Sequence, residues 1–304
     1  MKDKVLLRSV ISFTTLLYIC LIAITHIPGK RQTESPVMFI CAMSLIWLFY
    51  VYQAIKTGGK KYIYDISLAA YIFFIVWEFA TRIFNSIPKV LFPAPANVFY
   101  TFYLDYKFMI AGMISSLILL FLGFFIALLA GNLLGLFVGY HPRLRDSFFP
   151  AARVISPIPP MIYAPYLIAI MPSFSSASVT VLALGIFWPT FMSMITRVVS
   201  ADKRIIDSAK AMNVSTWSML LKVLLPYSVP GIISSLRVQL STTFMLLVMA
   251  EMIGAQSGLG FYIKKYSDYA DYTRVTAGII FIALIITGLN FLISKAEQKL
   301  IKWS

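Results

Sequence analysis

An all-α, polytopic transmembrane helical bundle of about eight spans is the fold class this sequence predicts. Three observations carry it. Hydrophobic residues make up 60% of the 304 residues and charged residues 12%, with a mean hydropathy of +0.83, more apolar side chain than a soluble domain of this size can bury. Several apolar stretches exceed the roughly 18 residues that cross a bilayer as helix. No barrel-type alternation is present, and only helices and closed barrels satisfy their backbone inside lipid.

The apolar segments fall at about 6–27, 37–55, 64–81, 108–139, 153–171, 176–198, 228–250 and 275–294. The first lacks a small-residue cleavage site and its apolar run is long, so it reads as a retained span. The fourth is long enough to be strongly tilted or broken, and prolines break the fifth. The net charge of +14 sits in short loops beside these spans. That distribution sets topology and does not describe a nucleic-acid face.

With the N-terminus inside, one side holds seventeen cations: Lys2, Lys4, Arg8, Lys56, Lys60, Lys61, Arg143, Arg145, Arg153, Arg197, Lys203, Arg204, Lys210, Lys222, Lys295, Lys299 and Lys302. The other side holds eight: Lys30, Arg31, Arg82, Lys89, Lys107, Lys264, Lys265 and Arg274. The bias predicts both termini in the cytoplasm.

Three features within the spans carry two readings each. Gly123, Ala127, Gly131, Gly135 and Gly139 recur every four residues, which suits close helix packing or a moving gate helix. In "SPIPPMIYAP", Pro157, Pro159, Pro160 and Pro165 mark either a structural kink or a pathway-lining one. Arg237, among Ser234, Ser235, Gln239, Ser241, Thr242 and Thr243, is too costly to face lipid. It either lines an anion pathway or pairs with Glu251 or Glu78, unless it lies near enough to the cytoplasmic end to snorkel.

Enzyme and metal chemistry find no purchase. HExxH, GxSxG and GxxxxGK[ST] patterns are absent from the sequence, so the chain neither catalyses by those routes nor binds ATP through a phosphate loop. Cys20 and Cys41 lie in apolar segments, and His26 and His141 stand far apart near loops, which suggests neither a disulfide framework nor a metal site.

The segment Asp207–Pro226 interrupts the apolar pattern with a polar helical hairpin. Asp202 suits the N-cap of "KRIIDSAKAM", and Asn213 tolerates the left-handed conformation that ends a helix. Ser215 suits the cap of a second helix through "TWSMLLKVLL", which Pro226 is expected to stop. Trp217, Met219, Leu220, Val223 and Leu224 form an amphipathic face for the membrane surface or the bundle. A protrusion of this kind fits a groove on a partner.

The spacing resembles the signature of membrane subunits of bacterial ABC importers: E-A-A, three residues, G, nine residues, I-x-L-P. Here it reads Asp207-Ser208-Ala209, three residues, Asn213, nine residues, Val223-Leu224-Leu225-Pro226. "LFPAPANVFYTF" resembles the family's entry into the permease domain, and "SPIPPMIYAP" its P-I-P-P segment. "LRVQLSTTFMLLVMAEMIGAQSGLGFYI" is similar to the stretch following the docking loop in the nitrate, taurine and aliphatic sulfonate group, with Glu251 and Ser257-Gly258-Leu259-Gly260 in place. The resemblance covers about residues 64–304.

The resemblance implies a type I ABC importer permease with a six-span core at 61–304, a coupling hairpin at 200–226 and an added two-span hairpin at 1–60. Asp207, Ser208, Ala209, Asn213, Val223, Leu225 and Pro226 would couple to the ATPase. Pro159, Pro160, Trp188, Arg237, Ser241 and Glu251 are the pathway candidates. The chain would bind no cofactor, with ATP and Mg held by the partner. Implied partners are two ATPase subunits, a second permease subunit, identical or not, an extracytoplasmic substrate-binding protein and the lipid of a bacterial inner membrane. The group's cargoes are mostly small anions and sulfonates. An ion-coupled secondary transporter is the alternative, and it would want more buried carboxylates than twelve scattered acidic residues supply. A polytopic membrane enzyme would need a polar catalytic cluster.

Overall fold

The computed structural model describes residues 2–58, 60–88 and 90–300, with side chains from 11 to 299. Lys89, Lys302 and the side chains of Lys2, Lys4 and Arg8 lie outside the described residues. Among the described residues every regular element is a helix, with no strand.

The helices are α1 (Lys2–His26), α2 (Val37–Thr57), α3 (Lys61–Glu78, continued by a π-helical turn Phe79–Ile83) and α4 (Pro95–Tyr140). After them come α5 (Pro142–Ile155), α6 (Pro160–Ile170), α7 (Phe174–Val199), α8 (Lys203–Ala211), α9 (Thr216–Ser218), α10 (Leu225–Gly254), α11 (Leu259–Asp268) and α12 (Tyr272–Leu300). Seven of the eight expected segments each fall on one helix, α3 with its π-helical turn included, and the fifth is split between α5 and α6. Among the described residues six helices are long and apolar enough to cross a membrane, the part of α1 with described side chains, Ile11–His26, is apolar but shorter, and α5 with α6 forms a pair bent by 92°. The fourth segment is unbroken and begins earlier than expected. Its 46 residues span about 69 Å at 1.5 Å per residue.

Two compact units form, Met1–Met109 with Ile263–Ile280, and Ile110–Tyr262 with Phe281–Ser304. In the first, α1 packs on α2 and α3 around buried Leu21, Phe39, Met43 and Tyr71. The expected N-terminal hairpin therefore packs directly on α3. Two buried arginines, each 5% exposed, bind the loops of this unit. Arg82 donates to Glu78 at 2.6 Å, to the Ile27 carbonyl at 2.6 Å and to the Ile24 carbonyl, so a cation closes the C-terminal end of α1, where backbone carbonyls lack helical partners. Arg31 donates to Asn85 Oδ1 at 3.0 and 2.8 Å and to the carbonyls of Phe92 and Ile87 at 2.7 Å each. Both residues looked like loop cations in the charge pattern.

In the second unit the glycine repeat of α4 lies on α7. A Cβ at Gly123 would meet Leu182 Cβ at 2.8 Å, at Gly131 Thr190 Cβ at 2.9 Å, at Gly135 Met194 Cβ at 2.8 Å and at Gly139 Val198 Cβ at 3.0 Å. The offset is a constant 59 residues (182 against 123, 198 against 139), so α4 and α7 run parallel. The tight-packing reading of the repeat therefore holds.

Parallel neighbours have a topological consequence. The chain between them must return to the far end, so α5 and α6 together make a crossing despite their bend. Pro160 lies level with Gly185, halfway along α7, where a Cβ would sit 2.7 Å from its Cγ. Helix α6, at about 16 Å, covers only half the span, while α5 packs at the Tyr140 end, on Val138, Phe191 and Ile195. Helix α10 runs antiparallel to α7: Gly231 meets Arg197, Gly185 meets Leu246 and Gly254 meets Phe174. The core is completed by Leu120, Phe124, Leu182, Ile186, Phe244 and Leu247.

Gly135→Ala is expected to cost about 1–3 kcal/mol, because the new methyl would sit 2.7 Å from the Phe191 carbonyl oxygen, which is backbone. Gly288→Ala, with nothing within 4 Å, should instead gain up to about 1 kcal/mol of helix propensity. Thermal unfolding in detergent compares the two, and equal midpoints would contradict the packing account. Arg82→Met should cost about 3–5 kcal/mol by leaving buried Glu78 without a countercharge, and Glu78→Leu in the same chain should restore part of it. A double variant as unstable as the single would refute that view.

Candidate functional site

The segment between α7 and α10 is built from local hydrogen bonds. Asp202 accepts from the Arg204 N–H at 2.9 Å and so caps α8. Helix α8 ends where the Val214 N–H reaches the Ala209 carbonyl at 3.2 Å across Asn213, whose φ is +53°. Ser215 Oγ then accepts from the Ser218 N–H at 3.3 Å. Both caps and the left-handed asparagine stand where capping chemistry puts them.

Beyond Ser218 the second limb differs from expectation. Pro226 does not stop it; α9 runs through a π-helical stretch, Met219–Leu224, directly into α10, and Thr216–Gly254 forms one 39-residue span. A proline inside a helix lacks a donor and strikes the carbonyl four residues back. The π turn answers this by widening the helix just before it, with the Leu225 N–H reaching back five residues to the Leu220 carbonyl.

The loop has two faces. Ala209, Met219, Leu220 and Leu224 are buried against Leu136 of α4, Met194 and Val198 of α7, and Ala201. The amphipathic face thus lies on the bundle, with Trp217 left 67% exposed and its ring stacked 6.5 Å from Phe137. Asp207, Ser208, Lys210 and Asn213 are exposed, as is Met212 at 72%. A hollow of about 390 Å3 opens beside Arg204, Ile205, Ser208, Met212 and Val223. Within the motif, then, Ala209 faces inward, Val223 and Leu225 are half-buried, and Asp207, Ser208, Asn213 and Pro226 face outward.

The pathway candidates are not gathered at one place. Arg237 pairs with Glu297 of α12 at 3.2 Å, not with Glu251 or Glu78, and Ser241 Oγ donates to Asn290 Oδ1 at 3.1 Å. These two contacts fasten α10 to α12 in antiparallel register. Gly231 of α10 meets Arg197 near the end of α7, so Arg237, six residues on, sits in the half of α10 nearer Tyr140 and Val199. Trp188 is half-buried in a cluster with Phe187 and Phe191. Pro159 is exposed and caps α6, while Pro160 wedges on Gly185.

Glu251, 1% exposed, anchors the opposite end of α10. Ser116 of α4 donates to its Oε1 at 2.6 Å, the Gly260 N–H donates to Oε2 at 2.7 Å, and the Leu259 N–H donates to Ser116 Oγ at 2.9 Å. Gly258, at φ +114°, lies against the carboxylate so closely that no side chain fits. A buried carboxylate here gathers two helices and a tight turn. Ser116, Asn290 and Glu297 escaped sequence reasoning. Their partners stand 135, 49 and 60 residues away, beyond any local pattern.

Ser116→Ala should cost about 1–3 kcal/mol by removing the hydroxyl that bridges the Leu259 N–H to Glu251 Oε1. Amide hydrogen exchange at Leu259 and Gly260 should quicken in that variant and more so in Glu251→Ala. Unchanged exchange would contradict the clamp.

Comparison with known proteins places this architecture. Residues 131–302 match the family described as binding-protein-dependent transport system inner membrane component. The taurine transport system permease protein of Escherichia coli is 30% identical over 189 residues, 62% of this chain and 69% of the relative. A Bacillus subtilis permease named for aliphatic sulfonates transport is 24% identical over 255 residues, 82% of this chain and 91% of the relative. The nitrate import permease protein of Leptolyngbya laminosa is 25% identical over 179 residues, 59% and 64% of the two chains. Among solved structures, an inward-facing form of the MetNI methionine ABC transporter aligns with a TM-score of 0.53 at 19% identity, over 67% of this chain and 97% of that one, which supports the fold. The chain is a multi-pass membrane transport subunit, and it belongs to the family of inner membrane components of binding-protein-dependent transport systems.

Proposed function

We propose that this permease forms half of the translocation pathway of an ATP-driven importer for a small solute of the sulfonate, nitrate or taurine kind. A second permease subunit, identical or not, supplies the other half. Two ATPase subunits hold the ATP and Mg, and an extracytoplasmic binding protein delivers the solute. Both termini and the α8–α9 loop lie on the cytoplasmic side of a bacterial inner membrane. Residues 1–60 are an addition to the permease domain at 61–304.

The two-faced loop is the observation that carries this reading. Its inner face is buried on α4 and α7, and its outer face presents Asp207, Ser208, Met212 and Asn213. A force applied to that outer face reaches α7 and α10 directly, because the loop joins one to the other through continuous or capped helix. Coupling further requires that the ATPase contact the loop differently in the two states of the pathway. Pro159, Pro160, Trp188, Arg237, Ser241 and Glu251 keep their proposed place along the pathway helices. The bond partners of Arg237, Ser241 and Glu251 favour a role in holding α10 to α12 and α4 through the transition.

Asp207→Arg in the reconstituted transporter is expected to abolish both uptake and binding-protein-stimulated ATP hydrolysis. As an exposed substitution it should change stability by no more than about 0.5 kcal/mol. Retention of both activities would sink the docking role. Ala209→Leu, by contrast, should lower the unfolding temperature, since Ala209 is 3% exposed. Uptake that follows an ion gradient at constant ATP would point to secondary transport.

A further inference from the structure

Where α7 ends, α5 lies across it and leaves a groove of about 480 Å3. Phe149 and Pro150 of α5 and Ile195 and Val199 of α7 line it, together with the polar Arg145, Asp146, Thr196 and Ser200. Arg145, Phe149 and Arg153 stand four residues apart and so form one ridge of the helix. The Arg153 guanidinium lies over the Phe149 ring, 5.0 Å from its centroid. Arg145 meets Asp146 at 3.3 Å, but that carboxylate is 72% exposed, and a pair so open to solvent satisfies little of the arginine. Helix α5 carries Arg143, Arg145 and Arg153 against the single Asp146. The outcome is an apolar slot lined also by Arg145, the solvent-open Asp146 and two hydroxyls, with Arg153 over Phe149 and Arg143 on the same helix giving α5 a net positive charge.

We propose that this groove is a binding site for an anionic phospholipid, with an acyl chain against Phe149, Ile195 and Val199, the phosphate at Arg145, and Arg153 beyond the lining, over Phe149, adding to the positive field. Position argues for a lipid: the α7 span ends at Val199, which sets the slot at the boundary between hydrocarbon and headgroups. Charge argues for an anionic one, because basic residues at that boundary attract negative headgroups. The orientation proposed above decides only which leaflet supplies it, the cytoplasmic one. A lipid seated here would bridge α5 to α7 one turn before the chain enters α8, and so would stiffen the base of the coupling loop.

The test uses the full chain, purified in detergent and incubated with equal phosphatidylglycerol and phosphatidylcholine of matched acyl chains, with retained lipid counted by native mass spectrometry. Wild type should keep phosphatidylglycerol in several-fold excess. Arg145→Gln with Arg153→Gln should erase that excess, and Val199→Trp, a filling substitution at a 53% exposed position, should reduce retention of both lipids without lowering the unfolding temperature. An excess that survives in both variants overturns the proposal. So does a Val199→Cys chain whose thiol is shielded from maleimide by co-purified ATPase but not by phosphatidylglycerol, which would assign the groove to the partner. Asp207→Arg should retain lipid as wild type does, so a failure of the docking reading leaves this result intact.

Discussion

The close, parallel contact of α4 with α7 is the constraint from which the second unit follows. Four glycines let the two backbones approach where any larger residue would strike Leu182, Thr190, Met194 or Val198. In a bilayer, where lipid is as apolar as leucine, such contact is what makes helices associate. Because the pair is parallel, the intervening chain must cross back. It does so as α5 and α6, broken at Pro157–Pro159, leaving α6 to cover half of α7. The α8–α9 loop then emerges at the same end as Tyr140, with α4 and α7 as its floor.

Polar groups within the spans serve the same economy. Each is expensive in hydrocarbon, and several in the spans, with Arg31 in the loop beside them, are tied to a second segment. Arg82 and Arg31 close loops of the first unit, Ser241 and Arg237 tie α10 to α12, and Glu251 ties α10 to α4 and the following turn. A helix that must transmit displacement from a loop at one end benefits from such discrete fasteners. They hold register while leaving the helix free to move as a body.

What could be read from sequence was what chemistry decides locally. Asp202, Asn213 and Ser215 announce their caps because the groups they satisfy lie within a few residues. The four-residue glycine repeat announces a contact, though not its partner. Pro226 misled because a proline's effect depends on the helix before it, and a π turn absorbed the defect. Arg237 announces its cost and Glu251 its place in the motif, but partners of both lie on other helices, and only the fold chooses them. The hairpin at residues 1–60 lies outside the stretch the resemblance covers, and the Arg82 bonds that fasten α1 to the end of α3 could not be read from it.

The central claim is that the outer face of the α8–α9 loop is the contact through which an ATPase drives this permease. The most direct measurement places a photoreactive benzoylphenylalanine at Met212, 72% exposed on that face, and irradiates cells that express the intact transporter. The account predicts a crosslink to the ATPase chain whose yield changes when ATP is trapped on the complex. A transporter that takes up solute while Met212 crosslinks only to lipid, or to nothing, would contradict it.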